Sequence, residues 1–167
     1  RGKPNFVFAH VPTPHRPFVF RADGSARMAE TEAEAPRIFN EAYIEQLKYI
    51  NTLVLDTVRA VRDRAPDAII VLQGDHGPRH PNSMSFEFRA HALDFVGALN
   101  TVCFPDGDYS GIPETFTHVN TFRVIFSKYF GTDLEPLHDT SYLRMDPASD
   151  FLEPVTWENG VAIRTTE

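Results

Sequence analysis

Asp75 and His76 stand side by side in the segment VLQGDHGPRHP (residues 71–81), with Gly74 before them and Gly77 after. A carboxylate oxygen and an imidazole nitrogen are two donors for a divalent cation such as Zn or Mn, and two donors alone do not close a site. The same residues also read as a strand-to-helix turn, in which Asp75 caps the next segment and the glycines permit unusual backbone angles. A second group of candidates lies in HVPTPHRPFVF (residues 10–20). There His15 is flanked by Pro14 and Pro17, and prolines lower the entropy lost when a side chain is held in place. His15 could donate a hydrogen bond to an anionic oxygen or pass a proton to a leaving group, because its pKa is readily brought near neutrality. His10 reads either as a histidine bonded to backbone or as a direct participant. Arg79 and His80 adjoin the Asp-His pair and are candidates for substrate binding, against a plainer reading as solvated loop residues. His91, His118 and His138 have no partner at ligand spacing and are taken as structural or exposed. Asp106 and Asp108 read as a turn, since the 12-residue calcium-loop pattern is absent.

The elements around these residues follow from their patterning. The run Ala68-Ile69-Ile70-Val71-Leu72 reads as a strand buried on both faces, so Asp75 and His76 emerge at its carboxyl end, where open α/β sheets bind ligands. Asn5-Phe6-Val7-Phe8-Ala9 reads as a short core strand stopped by Pro12 and Pro14. Residues 12–36 read as a long loop with room for one helical turn. From Ile38 to Arg64 the residues Phe39, Tyr43, Leu47, Ile50, Val54, Val58 and Val61 fall on one stripe of a helix of about seven turns, ended by Pro66. Strand, helix and strand in that order predict a parallel, right-handed crossover unit delivering histidines from both strands to one edge. Downstream, the pattern predicts a short helix from Phe86 to Phe95 and a strand from Gly97 to Phe104 entering a turn at Pro105-Asp106-Gly107. It then predicts a helix through Val119, Phe122, Ile125, Phe126 and Tyr129, with Thr117 at its start and Gly131 just past its end. A strand from Phe151 to Thr156 is expected in a tail that wraps the sheet edge. The expected fold class is therefore α/β, a mostly parallel sheet flanked by helices.

Composition bounds the function. A chain of 167 residues with 42% hydrophobic residues suffices for one domain with a substantial core. Its net charge of −7 argues against nucleic acid or an anionic membrane surface as a general partner. An anionic substrate would need local positive charge, which a metal ion would supply. Cys103 is the single cysteine, so no internal disulfide forms, and its apolar setting marks it as a packing residue. No apolar stretch approaches the ~20 residues needed to span a bilayer, and no signal peptide opens the chain. The start, Arg1-Gly2-Lys3-Pro4 running straight into a strand, suggests that something lies upstream.

Taken together, FVFAHVPTPHRPF followed by IIVLQGDHG and then VNTFRVIFSKYFG (residues 119–131) resembles the second half of the alkaline phosphatase/sulfatase superfamily. The resemblance is greatest to its sulfatase-like membrane transferases, such as lipoteichoic acid synthases and phosphoethanolamine transferases, and runs from about Asn5 to Tyr129. It implies a partial alkaline-phosphatase-like fold, with residues 1–167 forming the carboxyl-terminal portion of a catalytic domain. Asp75 and His76 match the pair that coordinates the family's divalent metal (Mn, Zn, Ca or Mg). His15 matches the histidine that contacts the phosphoryl or sulfuryl group. The family's nucleophile and an acidic metal ligand have no equivalent here, so the chain is expected to bind metal weakly or not at all and to lack turnover alone. The implied partners are an anionic phosphate- or sulfate-ester substrate and the missing amino-terminal half, with self-association of the chain also expected. The implied location is extracytoplasmic or periplasmic. A true sulfatase, or a non-catalytic scaffold that keeps the fold, are the alternatives.

Overall fold

The computed structural model describes residues 4–28, 31, 35–78, 94–114, 116–144, 151–158 and 161–164. The chain divides into two compact units, Arg1–Arg59 and Ala60–Glu167, each of which is described by itself.

The first unit is built on helix α1 (Ala35–Arg64), whose last residues belong to the second unit. Its stripe of three- and four-residue steps buries Phe39, Ala42, Gln46 and Ile50. Phe18, only 1% exposed, inserts its ring edge-on against Phe39 at 5.4 Å and Tyr43 at 6.0 Å, while those two rings stack on each other one helical turn apart. Edge-on geometry suits the aromatic quadrupoles. The segment carrying Phe18 then reverses through a tight turn: Phe20 bridges Ala26, Arg21 N–H donates to Ser25 O at 2.9 Å, and Gly24 takes φ +82°. Glycine fits there because a left-handed backbone angle costs it little.

In the second unit, β1 (Ile70–Gln73) pairs with β2 (Asn100–Cys103), in the register Ile70↔Cys103 to Gln73↔Asn100. Helix α2 (His118–Phe130) lies in the same core, with Ile125 packed among Val102, Phe104, Val71 and Val124. Gly131 ends it in the left-handed conformation at φ +65°, its N–H returning to Phe126 O, as the sequence pattern predicts. Thr117 stands at the helix start, but its amide and hydroxyl both donate to the Asp139 carboxylate instead of capping the helix. Strands β3 (Ser141–Leu143), β4 (Glu153–Glu158) and β5 (Val161–Arg164) form a separate antiparallel sheet in that order. The tail thus makes its own sheet instead of wrapping the edge of the first.

These observations overturn the parallel α/β sheet and, with it, the alkaline-phosphatase-like fold. Both sheets among the described residues are antiparallel. Residues 5–9 form no strand, and Phe6, Val7 and Phe8 are 81%, 82% and 78% exposed. The β-branched and aromatic content of a segment shows that it fits a pleated surface, and carries no information about which neighbour completes its ladder. Here the strand that pairs with β1 is β2, a later segment, and it runs antiparallel. Nor is β1 buried on both faces: Ile70, Val71 and Leu72 are half-buried and Gln73 is exposed, the condition of an antiparallel strand with one wetter side. The helix expected from Phe86 to Phe95 falls mostly outside the described residues, of which 94–96 are helical. Cys103 is half-buried and carries a free thiol.

Candidate functional site

Asp75 and His76 leave the carboxyl end of β1 on a short turn held at both glycines. Gly74 N–H donates to Leu99 O at 2.9 Å, and Gly77 N–H donates to Phe95 O at 2.6 Å. The His76 ring stacks on Phe95 with centroids 4.5 Å apart, and its Nδ1–H donates to Gly77 O at 2.6 Å. A carbonyl can only accept, so Nδ1 carries a proton, and the neutral ring then has its lone pair on Nε2. That nitrogen faces Asp75 Oδ2 at 3.7 Å, while the Asp75 side chain is 91% exposed. Asp75 Oδ1 also accepts the His76 amide at 3.1 Å, so part of the turn reading holds as well.

The two donors are placed as ligands of one ion would be. Donors about 2.1 Å from a tetrahedral cation lie roughly 3.4 Å apart, close to the observed gap. A metal-binding histidine typically donates its other ring N–H to a carbonyl or carboxylate, the arrangement His76 already has. Among the described residues no group of three or more His, Cys, Asp or Glu comes together, so the pair supplies two donors of an incomplete set. Arg79 and His80 lie outside the described residues.

One contact to this turn was invisible in the sequence. His118, at the start of α2, donates its Nε2–H to Gly74 O at 2.6 Å. Beside it, Gln73 Nε2 donates to Asn100 Oδ1 at 3.0 Å and to Thr121 Oγ1 at 3.1 Å, and the fully buried Thr121 hydroxyl donates to Asn100 Oδ1 at 2.9 Å. The only available hint was that His118 follows the residue opening a helix.

His15 belongs to the first unit and Asp75 and His76 to the second. His15 is exposed, with Nδ1–H donating to Arg16 O at 2.6 Å. His10 is exposed as well. The loop bearing His15 is fastened by Gln46, which sequence reading passed over as an ordinary polar residue. Gln46 is 1% exposed; its Oε1 accepts Val19 N–H at 2.8 Å and Phe20 N–H at 3.3 Å, and its Nε2 donates to His15 O at 3.3 Å. Its place on the buried stripe between Tyr43 and Ile50 was the available signal. Replacing Gln46 by Leu keeps the volume and strands two part-buried amides, so the first unit should lose about 1–3 kcal/mol. Urea unfolding checks this, together with faster hydrogen exchange at Val19 and Phe20.

The acidic turn after β2 holds an internal cation. Lys128 Nζ lies 3.0 Å from Asp108 Oδ2 and 3.4 Å from Asp106 Oδ2. Asx-type bonds from Asp108 N–H to Asp106 Oδ1 and from Ser110 N–H to Asp108 Oδ1 complete the expected turn. The Ser110 hydroxyl and amide, and then the Lys128 ammonium, hold the Asp108 carboxyl well below the usual carboxylate range. A depressed folded-state pKa stabilises above the unfolded value of about 3.9 and loses that contribution as pH falls through the folded value. The urea midpoint of the native chain should therefore drop towards that of Asp108→Asn on acidification below about pH 4, with the gap between them largest near neutrality.

No protein-family model, curated protein or solved structure matches this chain. Among the described residues, no helix is long and apolar enough to cross a membrane.

Proposed function

We propose that the Asp75–His76 turn is part of a divalent-metal site in an enzyme that transfers or hydrolyses phosphoryl or sulfuryl groups on anionic esters. One observation carries the reading: His76 is oriented through Nδ1, so that its Nε2 lone pair and an exposed Asp75 carboxylate oxygen converge at 3.7 Å. Neighbouring donors of this type, one oxygen and one nitrogen, suit Zn or Mn. The resemblance to sulfatase-like transferases supplies the reaction class. The remaining donors and the nucleophile would come from another segment, the expected amino-terminal half of the catalytic domain.

A bound cation would supply Lewis-acid polarisation of the ester oxygens and relieve the negative charge of a chain at net −7. The protein's own part is to orient His76 through its Nδ1 bond to Gly77 O and to keep the ring from rotating by stacking it on Phe95. A scaffold reading draws on the bond between Asp75 Oδ1 and the His76 amide, which a purely architectural turn would also make.

Paramagnetic Mn²⁺ titration of the full chain separates the two readings. The metal-site reading expects selective NMR broadening at Asp75–Gly77 and an affinity at least about tenfold lower in Asp75→Ala, since even orienting partners outside the ligand set are worth that much. Unchanged binding in the variant, or broadening spread over the acidic surface, supports the scaffold.

A further inference from the structure

We infer that His118 is a positioning residue for the Asp75–His76 pair, setting the direction in which the turn presents its donors; this rests on the metal-site reading above. Two glycines bracket the pair. At Gly77 the backbone is fixed by crowding, because an added Cβ would overlap the Asp94 carbonyl oxygen and come within 3.0 Å of Gly97 O. At Gly74 no such crowding exists: a Cβ would meet only ordinary contacts, 3.6 Å from His76 O and from Leu99 N. A glycine whose Cα is not crowded keeps a backbone freedom that no other residue has. The peptide between Gly74 and Asp75 therefore needs a bond to fix its plane, and the plane decides where Asp75 points.

His118 provides that bond. Its Nε2–H reaches Gly74 O at 2.6 Å, while the Gly74 N–H is tied to Leu99 O on the other side, so the residue is gripped at both polar groups. The donor is itself immobilised. Thr121, one turn along α2, is fully buried and joined to Asn100 and Gln73. Asn100 Nδ2 further donates to Phe116 O at 2.9 Å, just before the helix, and Thr117 is anchored by Asp139. The first turn of α2 is thus registered against the end of β1 by polar bonds with defined directions, more restrictive than apolar contact alone. Gln73 and Gly74, the last two residues before the pair, are both held from this one helical turn.

The test uses His118→Ala and His118→Gln in the full chain, because a Gln amide can still donate to Gly74 O. Two readouts are taken. In metal-free protein, backbone amide exchange at Asp75–Gly77 should rise about tenfold in His118→Ala, the scale of one lost hydrogen bond, and return most of the way in His118→Gln. Affinity for Co²⁺, used as the probe ion, should fall about tenfold in the Ala variant and recover in the Gln variant. A general structural role would instead raise exchange along α2 and both strands together, with no rescue by Gln, and would overturn the inference. Unchanged exchange at the turn would overturn it equally. Two donors bind weakly, so Co²⁺ is taken to millimolar levels; if the native Asp75 and His76 do not respond even there, the metal-site reading fails, while the metal-free exchange still decides whether His118 positions the turn.

Discussion

Gly77→Ala is expected to destabilise the second unit by about 2–3 kcal/mol, near the upper end of what overpacking usually costs. The added methyl would overlap the Asp94 backbone oxygen, which cannot rotate away as a side-chain tip would. Relief requires moving the 94–97 backbone, and that movement breaks the 2.6 Å bond from Gly77 N–H to Phe95 O and displaces the ring on which His76 stacks. Gly74→Ala makes the informative comparison. With space for a Cβ, it should fall within about 1 kcal/mol of the native chain, and trimming unfolded-state freedom can even make it more stable. Urea unfolding of the two variants checks the contrast; equal midpoints would mean that the turn is not packed as described.

Phe18→Ala should cost the first unit about 3–5 kcal/mol, the range for removing a fully buried aromatic ring. Phe18 is the one fully buried side chain that the 13–28 segment contributes to the cluster with Phe39 and Ala42. Without it, the Gln46 bonds to Val19 and Phe20 would have to hold the segment alone, and bonds near a solvent-filled gap lose most of their net worth. The segment should therefore detach and take the His15 backbone with it, read as loss of exchange protection at Val19, Phe20 and Arg27 together with the fall in urea midpoint. A variant that loses stability yet keeps those amides protected would show that the segment is held by something other than Phe18.

The helices were the most legible part of this fold. Phe39, Tyr43, Ile50 and Val54 mark α1 by spacing, and Ile125 with Gly131 marks α2 and its end, because helical periodicity and capping are local properties. Strand β1 and the emergence of Asp75 and His76 at its carboxyl end were legible for the same reason. The sheet's direction was not. Whether Ile70–Gln73 runs beside residues 5–9 or beside Asn100–Cys103 depends on long-range pairing, and two segments of similar β content compete for it with no local mark of the winner. The exposed Phe6-Val7-Phe8 shows that a good strand composition does not make a strand without a ladder. Within the candidate site, the donors themselves could be read from residue type. Their support, His118, could not, because it acts through a backbone carbonyl whose identity the side-chain sequence does not encode.

The proposed role of His76 is to offer Nε2, paired with Asp75, to a divalent cation. It is tested most directly by ¹⁵N NMR of the His76 ring during Zn²⁺ addition. The expected result is a neutral ring protonated at Nδ1 before metal, then a shift of Nε2 on titration with Nδ1 still bonded to Gly77 O. A ring protonated only at Nε2 in the metal-free chain, or an Nε2 signal indifferent even to the millimolar Zn²⁺ that would populate a weak two-donor site, would contradict it.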